Sequence, residues 1–151
     1  MSAIIGSGVS IEGIIPSDAY LTFNLASGIT AADLGKAVTI DSSGNTKVKL
    51  AGTGDWIFGR LETVENRVVE GVLVGTIITE GGFRLPKDSG VTVNVGDTVC
   101  GDAAVAAGNV KTVAASTDTA GPGPITIQLG NQSRFNVVTE VGSTYVVVLL
   151  R

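Results

Sequence analysis

Leu34-Gly35-Lys36-Ala37-Val38-Thr39, followed by Ser43-Gly44-Asn45 and then Lys47-Val48, reads as a strand, a turn and a returning strand. The same phrase is written again as Val95-Gly96-Asp97-Thr98-Val99-Cys100, then Ala107-Gly108-Asn109, then Val110-Lys111-Thr112-Val113. Glycine and asparagine supply the positive-φ positions a tight turn needs, and the flanking β-branched residues suit a pleated surface. Each copy leads to a phenylalanine, Phe58 in Phe58-Gly59-Arg60-Leu61 and Phe135 in Phe135-Asn136-Val137-Val138. Each then closes on a valine-rich strand, Val72-Leu73-Val74 in one and Val146-Val147-Val148 in the other. The spacing is unequal, because nine positions separate Gly35 from Gly44 and twelve separate Gly96 from Gly108. Two related halves of one β domain therefore describe the chain better than two identical stacked modules.

Working outward, the remaining pattern is of the same kind. β-branched clusters bounded by Gly, Asn, Asp and Ser predict strands over 37–41, 46–51, 56–64, 68–78, 91–95, 98–100, 109–113, 125–129, 136–141 and 144–150. Helix is confined to a single turn at 30–35, with Thr30 as N-cap and Gly35 as terminator, and a similar short piece at 101–106. Residues 116–124 carry two prolines among glycines and read as a loop. The expected architecture is all-β: a compact β-barrel or β-sandwich-like domain over 18–151, with an extended N-terminal arm over 1–17.

That arm is apolar but broken by glycine: Ile4, Ile5, Val9, Ile11 and Ile14 alternate with Gly6, Gly8 and Gly13 before Pro16. It is too hydrophobic for a disordered tail and too glycine-rich for a central strand. Two readings stand. The arm is a first strand of the domain itself, or it adds to the sheet edge of a neighbour. The five apolar residues are interface candidates on the second reading. Phe83 and Arg84 join them, because 81–87 mixes aromatic, apolar and basic residues in what reads as an exposed loop. Trp56, beside Ile57 and Phe58, reads as a core aromatic.

Composition limits the chemistry. The 151 residues contain no histidine, which removes the commonest general base and the commonest nitrogen ligand for metals. Fourteen acidic residues are dispersed, one per segment, with Glu62 and Glu140 at similar places after the two phenylalanines. Gly6-Ser7-Gly8 lacks the third glycine of a dinucleotide fingerprint, and Gly35-Lys36 runs into Ala37 where a phosphate loop needs Ser or Thr. No enzyme activity, cofactor or metal site is expected. Ten scattered basic residues and a net charge of −4 disfavour nucleic acid and anionic membrane surfaces alike. The longest apolar run, 145–150, is far short of the about 20 residues of a spanning helix. The single cysteine, Cys100, reads as a small buried residue, and the start of the chain lacks a signal-peptide pattern, so cytoplasmic synthesis is expected. Only 16% of residues are charged and mean hydropathy is +0.40, which implies apolar surface covered by copies of the chain or by a partner.

The run 34–45, followed by Val48-Lys49-Leu50-Ala51 and Ile57-Phe58-Gly59-Arg60-Leu61-Glu62, resembles the small capsid decoration (cement) proteins of tailed bacteriophages. In that family a comparable progression of turns leads to a glycine-preceded valine strand, here Glu70-Gly71-Val72-Leu73-Val74. The resemblance covers roughly 30–113 and, more loosely, the C-terminal strands; the long arm and the Pro-Gly loop depart from it. It implies a virion protein on the capsid exterior that stabilises the expanded head by binding the major capsid protein lattice, commonly as a homotrimer. The family transfers no catalytic residues. A tail, baseplate or fibre subunit is the alternative structural reading, and a small β-barrel ligand-binding module is the alternative from another class.

Overall fold

The computed structural model describes residues 12–13, 15–17, 19–67, 69, 71–113 and 136–151. These residues are nearly all β. In chain order the strands are β1 (Tyr20–Leu25), β2 (Ala37–Ile40), β3 (Lys47–Leu50), β4 (Gly59–Leu61), β5 (Glu65–Arg67), β6 (Val72–Ile78), β7 (Gly81–Pro86), β8 (Val99–Asp102), β9 (Asn109–Thr112), β10 (Asn136–Val141) and β11 (Tyr145–Leu150). The first half closes on itself: strands run β1-β3-β2-β4-β6, and β6 pairs back to β1. This five-stranded barrel has β5 attached to β6 as a short extension. Its interior is filled by Leu25, Ile29, Val38, Val48, Leu61 and Ile77. The one helical turn, Ala31–Asp33, forms because Thr30 caps it: the Thr30 hydroxyl accepts from the Ala32 N–H, and the Asp33 carboxylate accepts from the Thr30 N–H.

The second half repeats the first in register. In the barrel, the Gly35 N–H donates to the Leu61 carbonyl (2.8 Å) and the Leu61 N–H to the Lys36 carbonyl (3.0 Å). In the second half, the Gly96 N–H donates to Val138 (2.8 Å) and the Val138 N–H to Asp97 (2.9 Å). Both glycines hold positive φ, +82° and +92°, as the turn requires. The hairpin β2–β3 pairs Val38 with Leu50, and β8–β9 pairs Val99 with Thr112. Leu61 faces Ile77, which faces Leu21; Val138 faces Val148, which faces Phe83. So β7, β8, β9, β10 and β11 stand for β1, β2, β3, β4 and β6.

The second set nevertheless divides into two sheets, β10-β11-β7 and β8-β9. Two substitutions account for the split. Where the barrel pairs Val38 with Gly59, the second half places Asn136 opposite Val99. A Cβ at Gly59 would stand 2.2 Å from the Ile78 carbonyl oxygen, so glycine there lets β4 lie close against β6. Asn136 instead bridges with its side chain, its Oδ1 accepting from the Val99 N–H (2.9 Å) and its Nδ2 donating to the Val99 carbonyl (3.1 Å). At the other seam the Asn24 N–H donates to Thr46 (2.9 Å), and the position corresponding to Asn24 is Pro86, which has no N–H to give. Side chains bridge there too: Asn109 Nδ2 to Asp88 Oδ1 (2.6 Å) and Thr112 Oγ1 to the Thr92 carbonyl (3.2 Å).

One core joins the halves. Ala19, Ala37, Ala51, Ile57 and Ile78 from the barrel's outer wall pack with Phe83, Leu85, Val93, Val99, Val110, Val138, Val146, Val148 and Leu150. The join is backbone to backbone: Ala37 N–H to Gly108 (2.9 Å), Gly108 N–H to Ala51 (2.8 Å), Gly101 N–H to Asp55 (2.8 Å) and Gly54 N–H to Gly101 (2.9 Å). Such close approach needs the small residues. A Cβ on Gly101 would meet the Gly52 carbonyl oxygen at 2.2 Å.

Several expectations need correction. Residues 81–87 are not an exposed loop; Gly81–Pro86 is a strand with Phe83 in the core. Residues 101–106 hold no helical turn, because Gly101 and Asp102 extend β8 and the rest is hairpin connection. Residues 91–95 form no strand, since they occupy the place of the capped turn before Gly35. The expected strand over 56–64 is ordered as strand only at Gly59–Leu61. The predicted strand 125–129 and loop 116–124 lie outside the described residues.

Candidate interaction surface

Ile4, Ile5, Val9, Ile11 and Ile14 lie outside the described residues. The base of the arm does not. The Gly13 N–H donates to the Gly82 carbonyl (2.8 Å), Ile15 packs against the shared core, and the Thr79 N–H donates to Ala19 (2.9 Å). Going from Glu12 to Ala19, the described contacts thus pass from Arg84 and Gly82 of β7 to Thr79, just before it.

Phe83 and Arg84, neighbours in sequence, are parted by the alternation of the strand. Phe83 is 1% exposed and serves the core, so it offers nothing to a partner at the surface. Arg84 points outward and is half exposed, but its guanidinium is already engaged. It lies 3.8 Å from the centre of the Tyr145 ring, a cation–π contact, and donates to Glu12 Oε2 at 2.8 Å. The Tyr145 hydroxyl in turn donates to Glu140 (3.1 Å). A polar and aromatic line thus crosses the outer face of β10-β11-β7 and ends on the arm.

Among the described residues, Glu62, Asp33 and Asp41 are engaged by near neighbours. Glu62 pairs with Arg60 at 2.8 Å and does not meet Glu140 in a shared site. The Lys36 ammonium holds the Asp33 carboxyl below its ordinary range, helped by the Thr30 N–H. The Ser43 N–H does the same for Asp41. Burial pushes the Cys100 thiol up, with Lys111 opposing, so this sulfur is a packed apolar group rather than a nucleophile. Among the described residues no cluster of three His, Cys, Asp or Glu could hold a metal ion. Trp56 is half-buried and meets Phe58 edge-on, and Phe58 meets Phe23 likewise.

Exposed apolar side chains are the surface features that sequence reasoning left out. Leu34 (46% exposed) and Val95 (67%) hold the same position in the two halves, directly before the positive-φ glycine. They stood in the repeated phrase, and their shared place was the available signal. Val69 is fully exposed near the tip of the β5–β6 hairpin, a connection that the second half reduces to a short turn at 142–144. Tyr20 and Leu21 on β1 are also exposed.

Fold and surface together define a duplicated β-barrel scaffold, a closed five-stranded barrel fused through one core to an opened copy of itself. No protein-family model matches the chain, and no curated protein matches it.

Proposed function

We propose that this chain is a structural bacteriophage virion protein that decorates the capsid exterior and cements the expanded head by binding the major capsid protein lattice. The observation that carries this reading is the repeated unit with an exposed apolar residue at the same place in each half, Leu34 and Val95. A lattice offers many equivalent contact points, and a binder that presents the same small contact more than once gains avidity without a large single interface. The low charged fraction and the resemblance of residues 34–62 to the decoration family support the same reading. Assembly as a homotrimer would multiply those contacts further.

Cosedimentation with expanded and unexpanded heads of the cognate phage tests the proposal. The protein should pellet with expanded heads in preference to unexpanded ones, and Leu34→Asp with Val95→Asp should abolish pelleting while the β-rich circular dichroism signal is kept. Equal binding to both forms, or to neither, would remove the proposal. Density on the tail in labelled particles would favour the tail, baseplate or fibre reading instead.

A further inference from the structure

The seam that closes the first barrel has no backbone counterpart in the second half, and this leaves β7 with an outward edge. Antiparallel strands alternate which residues turn their N–H and C=O toward a given neighbour. Gly82 turns its carbonyl away from β11 and toward Gly13, so the N–H and C=O of Arg84 and the C=O of Pro86 lie on the same outward edge. Among the described residues only Gly13 makes a backbone hydrogen bond to that edge. Native proteins rarely leave such an edge uncovered.

We propose that the outward edge of β7 is the docking rail of the chain's own N-terminal arm, residues 2–11, with the Glu12–Arg84 ion pair as its anchor. Direction supports this occupant. Going backward from Ala19, which accepts from Thr79, the chain reaches Gly82 at Gly13 and Arg84 at Glu12, so it advances along β7 antiparallel to it. Gly13, at φ +85°, lets the chain swing onto the strand. Past Glu12, residue 11 is the next to reach the outward edge of β7, at Arg84. Length is sufficient: ten extended residues span roughly 33 Å against roughly 20 Å for a six-residue strand. Strand addition asks little of side-chain identity, which suits a glycine-broken apolar segment.

Amide hydrogen exchange on the full-length protein tests this, read at Arg84 and at residues 2–11. The Arg84 amide should be protected. Deleting residues 2–11 should speed its exchange by about tenfold or more while leaving the β11 amides of Val146–Leu150 slow. Ile11→Pro, which removes the N–H predicted to pair there, should do the same and keeps the test valid if the deletion fails to fold. An unprotected Arg84 amide, or protection that neither variant alters, overturns the proposal. Protection that fades on dilution at unchanged circular dichroism also overturns it, because the arm would then come from a second copy.

Discussion

Asn136→Ala is the sharpest perturbation the fold offers. The Asn136 side chain is the link between β10 and the Val99 backbone, donating and accepting one hydrogen bond each at 3.1 and 2.9 Å. Asn136 is 4% exposed and Val99 1%, so water does not replace the amide without local opening. A buried backbone group left unpaired costs about 1–3 kcal/mol. Two such groups set a range of about 2–6 kcal/mol, and partial relaxation of β8 toward solvent brings the expected loss to about 3 kcal/mol. With a urea m-value of about 2 kcal/mol/M for a domain of this size, the midpoint should fall by about 1.5 M. Asn136→Leu keeps the volume and loses both hydrogen bonds, so it should not recover the loss. The assay is urea unfolding followed by circular dichroism on wild type and both variants. A loss within about 0.5 kcal/mol for alanine, or recovery with leucine, would refute the claim that this side chain stands in for strand pairing.

Other consequences follow from the same contacts. Gly101→Ala drives a Cβ into the Gly52 carbonyl oxygen at 2.2 Å and into the Ala51 Cβ at 2.9 Å, so it should destabilise by about 2 kcal/mol or more in the same urea assay. The Asp33 carboxyl is held below its ordinary value of 3.8 by Lys36, so its contribution is fully present above that pH and lost as pH falls through the lower folded value. The stability gap between wild type and Asp33→Ala should therefore be open at pH 7 and shrink steadily below pH 3.8. Cys100, buried with its thiol pushed up, should react with a thiol reagent only as fast as the protein opens, and at once in denaturing urea.

Much of the fold was legible because turn glycines and β-branched strands are local signals. Gly35 and Gly96 hold the conformation their sequence context demands, and β10 falls where the valine pattern placed it. What escaped was β1, β5 and β7. β7 reads Gly81-Gly82-Phe83-Arg84-Leu85-Pro86, a composition that favours a loop, and it becomes a strand only because β11 pairs with it along its whole length. The repeat itself held the missing clue. Ser27-Gly28-Ile29-Thr30 and Ser89-Gly90-Val91-Thr92 echo each other, and both form the same turn, Ile29 N–H to Ala26 and Val91 N–H to Asp88. Extending the phrase upstream by those residues places Leu25 against Lys87 and β1 against β7. The candidate surface was less legible, because exposure is a property of packing. Phe83 and Arg84 look alike as interface residues until the strand sends one inward. Leu34 reads as part of a helical turn and Val95 as a strand end, and only the packing around Gly35 and Gly96 leaves both exposed.

The central claim is a place on the outside of a phage head. Reconstruction of expanded heads by electron microscopy, with and without this protein, measures it most directly. The proposal predicts added density at symmetry-related points on the outer surface of the major capsid lattice, each accommodating the barrel and the open half fused to it. Heads that look the same with and without the protein, or difference density confined to the tail, would contradict it.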